Sequence, residues 1–171
     1  MIHPIRKYGD VVLHQKARPV AQIDGATAAL VEEMVATMYA APGIGLAAPQ
    51  IGVSLRVIVI DLSVGKDKNA LIRLVNPEFV SRSGEQQHEE GCLSIPGYAA
   101  SPVRPARVSV RGLDLESQEQ TFEAEGLLAR AFCHEIDHLD GLLFVDRLSP
   151  LKRDILKRKL RKKAREGDWE E

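Results

Sequence analysis

The sequence predicts an α+β fold: antiparallel sheets packed around a central helix, with another helix near the N-terminus and a basic helix at the C-terminus. Three observations carry this. Short β-branched or alternating runs follow one another between residues 55 and 125, and helical periodicity recurs at three separated places. No regular strand–helix–strand alternation joins them, as a parallel sheet would require. At 171 residues the chain is long enough for one core and short for two, so a single domain is expected.

The elements follow in order. Asp24 to Ala40 reads as an amphipathic helix: Asp24 can cap it, Leu30, Met34, Val35 and Met38 fall at helical spacing, and Pro42-Gly43 ends it. Leu55 to Leu62 is short and β-branched, the pattern of a buried strand. Leu71 to Val75 gives a second strand, with Pro77 as its limit. Val108 and Val110 alternate with Arg107, Ser109 and Arg111; the alternation changes phase at Gly112 and resumes at Leu113 and Leu115, which predicts a bulge there. Gln120 to Glu125 is expected to pair beside that strand. Helices are predicted from about Gly126 to Asp140 and from about Ser149 to Arg165.

Composition narrows the class. No apolar run approaches the ~20 residues of a membrane helix. The start, Met1 to Lys7, moves directly into charge without a secretory stretch, so a cytoplasmic location is expected. Two cysteines, Cys92 and Cys133, are then expected to stay reduced. Net charge is −1, but it is unevenly spread: residues 1–150 carry 14 Lys/Arg against 19 Asp/Glu, while residues 151–165 carry nine against one.

The most informative segment is Cys133-His134-Glu135-Ile136-Asp137-His138-Leu139-Asp140-Gly141. His134 and His138 stand four apart on a predicted helix, so both imidazoles leave one face and can hold one divalent ion. Glu135 is then free to act on bound water. By itself the segment fits a surface helix equally well. A catalytic ion needs a third protein ligand and an open position. No histidine follows His138, and no downstream acid has suitable spacing. Upstream, Cys92 in Glu89-Glu90-Gly91-Cys92-Leu93-Ser94 is flanked by small residues and is the better third ligand; Cys133 points about a quarter-turn away and is assigned to packing. Leu127 and Ala131 share the face of His134 and His138, an apolar approach that suits an unbranched side chain. Arg104 is a candidate partner for Asp137.

Gly43-Ile44-Gly45-Leu46-Ala47-Ala48-Pro49-Gln50-Ile51-Gly52 contains a G-x-G-x-x-A pattern, but it follows a helix rather than a strand, and Pro49 with Gly52 prevents a long helix from opening there. A dinucleotide site is therefore excluded. A glycine-rich loop can bring backbone close to a ligand, while Gln50 on its own reads as a solvated loop side chain.

Together, Gly43 to Gln50, Glu90 to Ser94 and His134 to Gly141 resemble the three signature motifs of the peptide deformylase family, in order and at similar separations. The likeness runs from Ile5-Arg6-Lys7-Tyr8-Gly9 to the tail helix. It implies a hydrolase acting on N-formylmethionyl peptides, with residues 1–150 as the catalytic domain and residues 151–171 as a basic helix and acidic tail of the same domain. It implies Cys92, His134 and His138 as ligands of one divalent ion, usually Fe2+, with Ni2+, Co2+ or Zn2+ able to replace it in a purified sample. It also implies that the Gln50 side chain and Leu93 backbone N–H bind the oxyanion, and that Gly45 aligns the substrate backbone. Glu135 is then expected to serve as general base and afterwards as acid. Ile44, Leu127 and Ala131 are the candidate substrate pocket, and Gly97 and Tyr98 lie where family members vary.

The tail has a narrow apolar stripe, Leu151, Ile155 and Leu160 with help from Leu156, and cations elsewhere. A solvated face is its ordinary reading; phosphate contact is the functional one. In bacterial relatives a similar tail docks on the ribosome, so the resemblance implies ribosome contact here. Two other functions remain open at this level: another metallopeptidase sharing His-Glu-x-x-His, and a non-catalytic ribosome-associated metal-binding protein. The missing downstream ligand argues against the first. Only three good ligands argue against the second, because structural sites fill all four positions.

Overall fold

The computed structural model describes residues 1–169; of the acidic tail, Glu170 and Glu171 lie outside the described residues. Helix α1 (Gly25–Ala40) leads into strands β1 (Gly45–Ala47) and β2 (Val57–Ile60). Then come β3 (Ile72–Ser83), β4 (Gln86–Gln87), β5 (Glu90–Gly91), β6 (Ala99–Ala100), β7 (Val103–Arg104), β8 (Arg107–Leu113) and β9 (Glu119–Glu125). Helices α2 (Gly126–Leu139) and α3 (Pro150–Glu166) complete the chain, with short 3-10 turns between elements. The α+β expectation holds. A five-stranded antiparallel sheet has the order β1-β2-β3-β8-β9, and two small ladders, β4-β7 and β5-β6, stand apart from it.

The main sheet is covered on both faces, and β2 shows why. Val57 and Val59 pack with Val31, Met34, Val35 and Met38 of α1. Their neighbours Ile58 and Ile60 point the other way, to Ala129, Phe132, Ile136 and Leu139 of α2. A strand buried on both faces has no polar side to alternate, hence its unbroken apolar run. Asp24 caps α1 by accepting from Ala26 N at 3.0 Å and Thr27 N at 3.1 Å. Gly141, at φ 76, ends α2 in the left-handed region, and Gln15 and His14 backbone atoms lie 3.0 Å from where a Cβ would stand.

Three expectations need correction. Pro77 does not end β3; two residues, Asn76 and Pro77, stand against Gly112 alone in β8, so the strand passes the proline as a bulge. Gly112 itself keeps its register with β9. It is glycine because Leu74 Cγ and Val75 O, at 2.7 and 2.9 Å, fill the space of a Cβ. The Gly43–Gly52 segment is not one loop but edge strand β1 followed by a 3-10 turn over Ala48–Ile51.

The stripe on α3 also divides. Leu160 is fully buried with Tyr8, Leu143 and Phe144, and Leu156 and Ala164 pack against that cluster. Leu151 and Ile155 remain 72% and 49% exposed, because the side of the helix facing the body is set by Leu156, Leu160 and Ala164. No helix among the described residues is long and apolar enough to cross a membrane.

Candidate metal centre

Sheet and helix bring distant residues to one point. Cys92 follows β5, while His134 and His138 project from α2; their ligand atoms all lie within 4.8 Å of one another. Cys92 Sγ is 3.4 Å from His138 Nε2, and the two imidazole centroids are 5.0 Å apart. One sulfur and two ring nitrogens could hold a softer transition ion and, in a four-coordinate site, would leave one position to a non-protein ligand.

Each ring has its own setting. His134 Nδ1 lies 3.1 Å from Glu90 Oε1, which turns its Nε2 towards the other two residues. Burial opposes charge on His134, but the Cys92 sulfur and the Glu90 carboxylate hold its pKa well above the usual range. A divalent cation between the three donors would take the place of that proton beside the Cys92 sulfur. Burial, followed by the charge of His134, pushes His138 well below its usual pKa, which favours the neutral ring that could ligate an ion. Its Nδ1 is buried and has no hydrogen-bond partner among the described residues.

Behind Glu90 stands a buried ion network that the sequence only hinted at. Arg104, 3% exposed, donates from Nε and Nη2 to both Glu90 oxygens at 2.9 Å, and from Nη1 to Asp137 Oδ2 at 2.6 Å. Arg147 donates to the same aspartate at 2.8 and 3.2 Å. Burial raises the pKa of Glu90, yet the Arg104 and His134 hydrogen bonds outweigh it and hold the carboxyl at about 2. Arg104 thus ties the small β4-β7 ladder to both the thiol-bearing segment and α2. The expected Arg104–Asp137 contact is present. The role of Glu90 was missed; an acid two residues before the candidate thiol was the available signal.

Glu135 is 4% exposed, its Oε1 has no partner among the described residues, and burial pushes its carboxyl up to about 7. Gln50 is not a solvated loop residue: it is 2% exposed because the turn carrying it folds beneath β1. Its Oε1 accepts from Ala47 N at 3.0 Å, and Nε2 donates to Ser94 Oγ at 3.1 Å while lying 3.8 Å from Cys92 Sγ. A cleft of about 650 Å³ opens onto this centre, lined by Ile44, Gly45, Gln50, Leu93, Leu127 and Ala131 together with Cys92, His134 and Glu135. Leu127 stands at its rim, 43% exposed, and Ala131 is buried. Cys133 lies in the core with its thiol pushed up to about 11 by burial, consistent with a packing role.

Residues 2–154 match the family model described as Polypeptide deformylase. The chain is 51% identical over 169 residues to a peptide deformylase of Acidobacterium capsulatum, spanning 99% of both chains. The crystal structure of a peptide deformylase from Legionella pneumophila has a TM-score of 0.88 at 48% identity and covers 96% of each chain. That of Ehrlichia chaffeensis peptide deformylase in complex with actinonin has a TM-score of 0.84 at 37% identity, over 95% of this chain and 97% of that one. Likeness of this extent in both sequence and fold makes the chain a hydrolase of the polypeptide deformylase family.

Proposed function

We propose that this enzyme removes the formyl group from the N-terminal formyl-methionine of newly made polypeptides, with Cys92, His134 and His138 holding one divalent ion, Fe2+ in the native enzyme. The observation that carries the reading is the meeting of one sulfur and two ring nitrogens in an open cleft beside buried Glu135, whose Oε1 has no partner among the described residues. Ni2+, Co2+ and Zn2+ are compatible with the same donors.

When bound, the ion supplies Lewis acidity, bringing the pKa of water towards neutrality and polarising the formyl oxygen. Glu135 takes a proton from the attacking water as the new C–O bond forms; a carboxyl near neutrality can both accept and return a proton. The Gln50 side-chain N–H and Leu93 backbone N–H donate to the developing oxyanion. Glu135 then passes its proton to the departing nitrogen as the C–N bond breaks, giving formate and a free N-terminal amine. Gly45, on the free edge of β1, aligns the substrate backbone, and Ile44, Leu127 and Ala131 supply an apolar wall for the methionine side chain. Residues 1–150 form the catalytic domain, with the tail as part of the same unit; burial of Leu160 against Tyr8 and Phe144 supports this.

The test is formate release. Anaerobically prepared enzyme should release formate from a formyl-Met peptide and leave an internal peptide bond intact, and Cys92→Ala should lose both ion and activity. Peptide-bond cleavage without formate release would favour a general metallopeptidase.

We further propose that the enzyme acts in the cytoplasm, with α3 contacting the ribosome. The helix carries nine Lys/Arg between residues 151 and 165. Such contact should weaken with salt and disappear when residues 151–171 are removed; co-sedimentation insensitive to both would rule it out.

A further inference from the structure

We infer that Gly45 is a positioning residue for the Glu135 carboxylate: the missing side chain at position 45 is the socket that holds the proton-transferring group in place. This rests on the reading of Glu135 as base and acid given above. A Cβ added to Gly45 would stand 2.5 Å from Glu135 Oε2, 3.0 Å from Cδ and 3.2 Å from Cγ.

The backbone does not itself demand glycine. Gly45 is paired with Ile60 in ordinary antiparallel fashion, and its φ lies outside the left-handed region. What demands glycine is the neighbour. Glu135 needs confinement because hydrogen bonding does not provide it: Oε1 is buried and unpartnered among the described residues. Contact with the Gly45 backbone fixes the carboxylate by shape, leaving its lone pairs free for a proton.

The two sides of the contact differ in stiffness. Gly45 belongs to a strand hydrogen-bonded to β2, and Glu135 rises from a helix locked into the core by Phe132, Ile136 and Leu139. The part able to yield is the end of the Glu135 side chain. An added methyl group should therefore leave the fold intact and displace the carboxylate by roughly 1 Å, the distance needed to restore van der Waals contact. A misplacement of that size in a reacting group costs on the order of 100-fold.

The experiment is a cycle of Gly45→Ala and Glu135→Asp in the metal-loaded enzyme, reading kcat, KM, metal content and thermal midpoint. Gly45→Ala should lower kcat on the order of 100-fold, well beyond any change in KM, with bound metal and midpoint nearly unchanged. In the Glu135→Asp background, where the shorter side chain withdraws from the contact, the same change should cost only a few-fold. A crystal structure of Gly45→Ala should show the carboxylate moved and the strand in place. Wild-type kcat in Gly45→Ala, an equal loss in both backgrounds, loss confined to KM, failure to fold, or an unmoved carboxylate would each overturn the inference. Full activity in Glu135→Gln would instead overturn the underlying mechanism, so the two failures are distinguishable.

Discussion

Glu135→Gln is expected to bind one metal ion per chain and to lose turnover by about 10²- to 10⁴-fold, the usual contribution of a positioned general acid–base. Glutamine keeps the shape of the side chain, including its fit against Gly45, and Cys92, His134 and His138 are untouched. It cannot take a proton from water or return one to the departing amine. Stability should not suffer, because burial already pushes the native carboxyl up to about 7, and a neutral amide is no harder to bury than a charged carboxylate. Metal analysis beside formate release at saturating substrate separates the effects. Loss of metal together with activity would make Glu135 a structural residue; retention of activity within a few-fold would remove it from the mechanism.

The largest stability effect is expected from Arg104→Met. Methionine fills much of the volume but strands the Glu90 and Asp137 side chains, both 7% exposed, without their shared cation. Breaking a buried pair from one side costs about 3–5 kcal/mol, a large part of the ~5–15 kcal/mol that holds a typical domain together. Denaturant midpoints of wild type and variant measure it. Because Glu90 also orients His134, metal affinity should fall about 10- to 100-fold. Acid stability should change as well. The folded pKa of Glu90, about 2, lies below its unfolded value, so in wild type its contribution is complete above the unfolded pKa and disappears as pH falls towards 2. Without Arg104 that advantage shrinks, and the variant should begin to unfold at higher pH. An unchanged midpoint at neutral pH would show that Arg147 alone can satisfy Asp137 and that Glu90 tolerates isolation.

How much of this was legible in the sequence depended on range. Asp24 caps the next turn, β2 declares its double burial through Val57-Ile58-Val59-Ile60, and the four-residue step from His134 to His138 sets two rings on one helix face; all are local patterns. Cys92 could be reached by asking which residue completes a pair of histidines. Other features exist only once the sheets are assembled. Nothing beside Gln50 announces that it folds beneath β1 against Ser94, and nothing near Glu90 announces Arg104. Pro77 gave a locally sound signal with the wrong outcome, because β3 takes up the proline in a bulge opposite Gly112. On α3, Leu151 and Ile155 are as apolar as Leu156 and Leu160, and only the position of Tyr8 and Phe144 decides that Leu160 is buried, Leu156 half-buried against it and the other two exposed.

The proposed function stands or falls on one thiolate and two imidazoles sharing an ion and leaving a position open to solvent. X-ray absorption at the zinc edge of the Zn2+-loaded enzyme reads that directly. The expected spectrum contains one sulfur at about 2.3 Å, two imidazole nitrogens at about 2.0–2.1 Å and a further light atom from solvent. A shell without sulfur, or one unchanged in Cys92→Ala, would contradict the site described here.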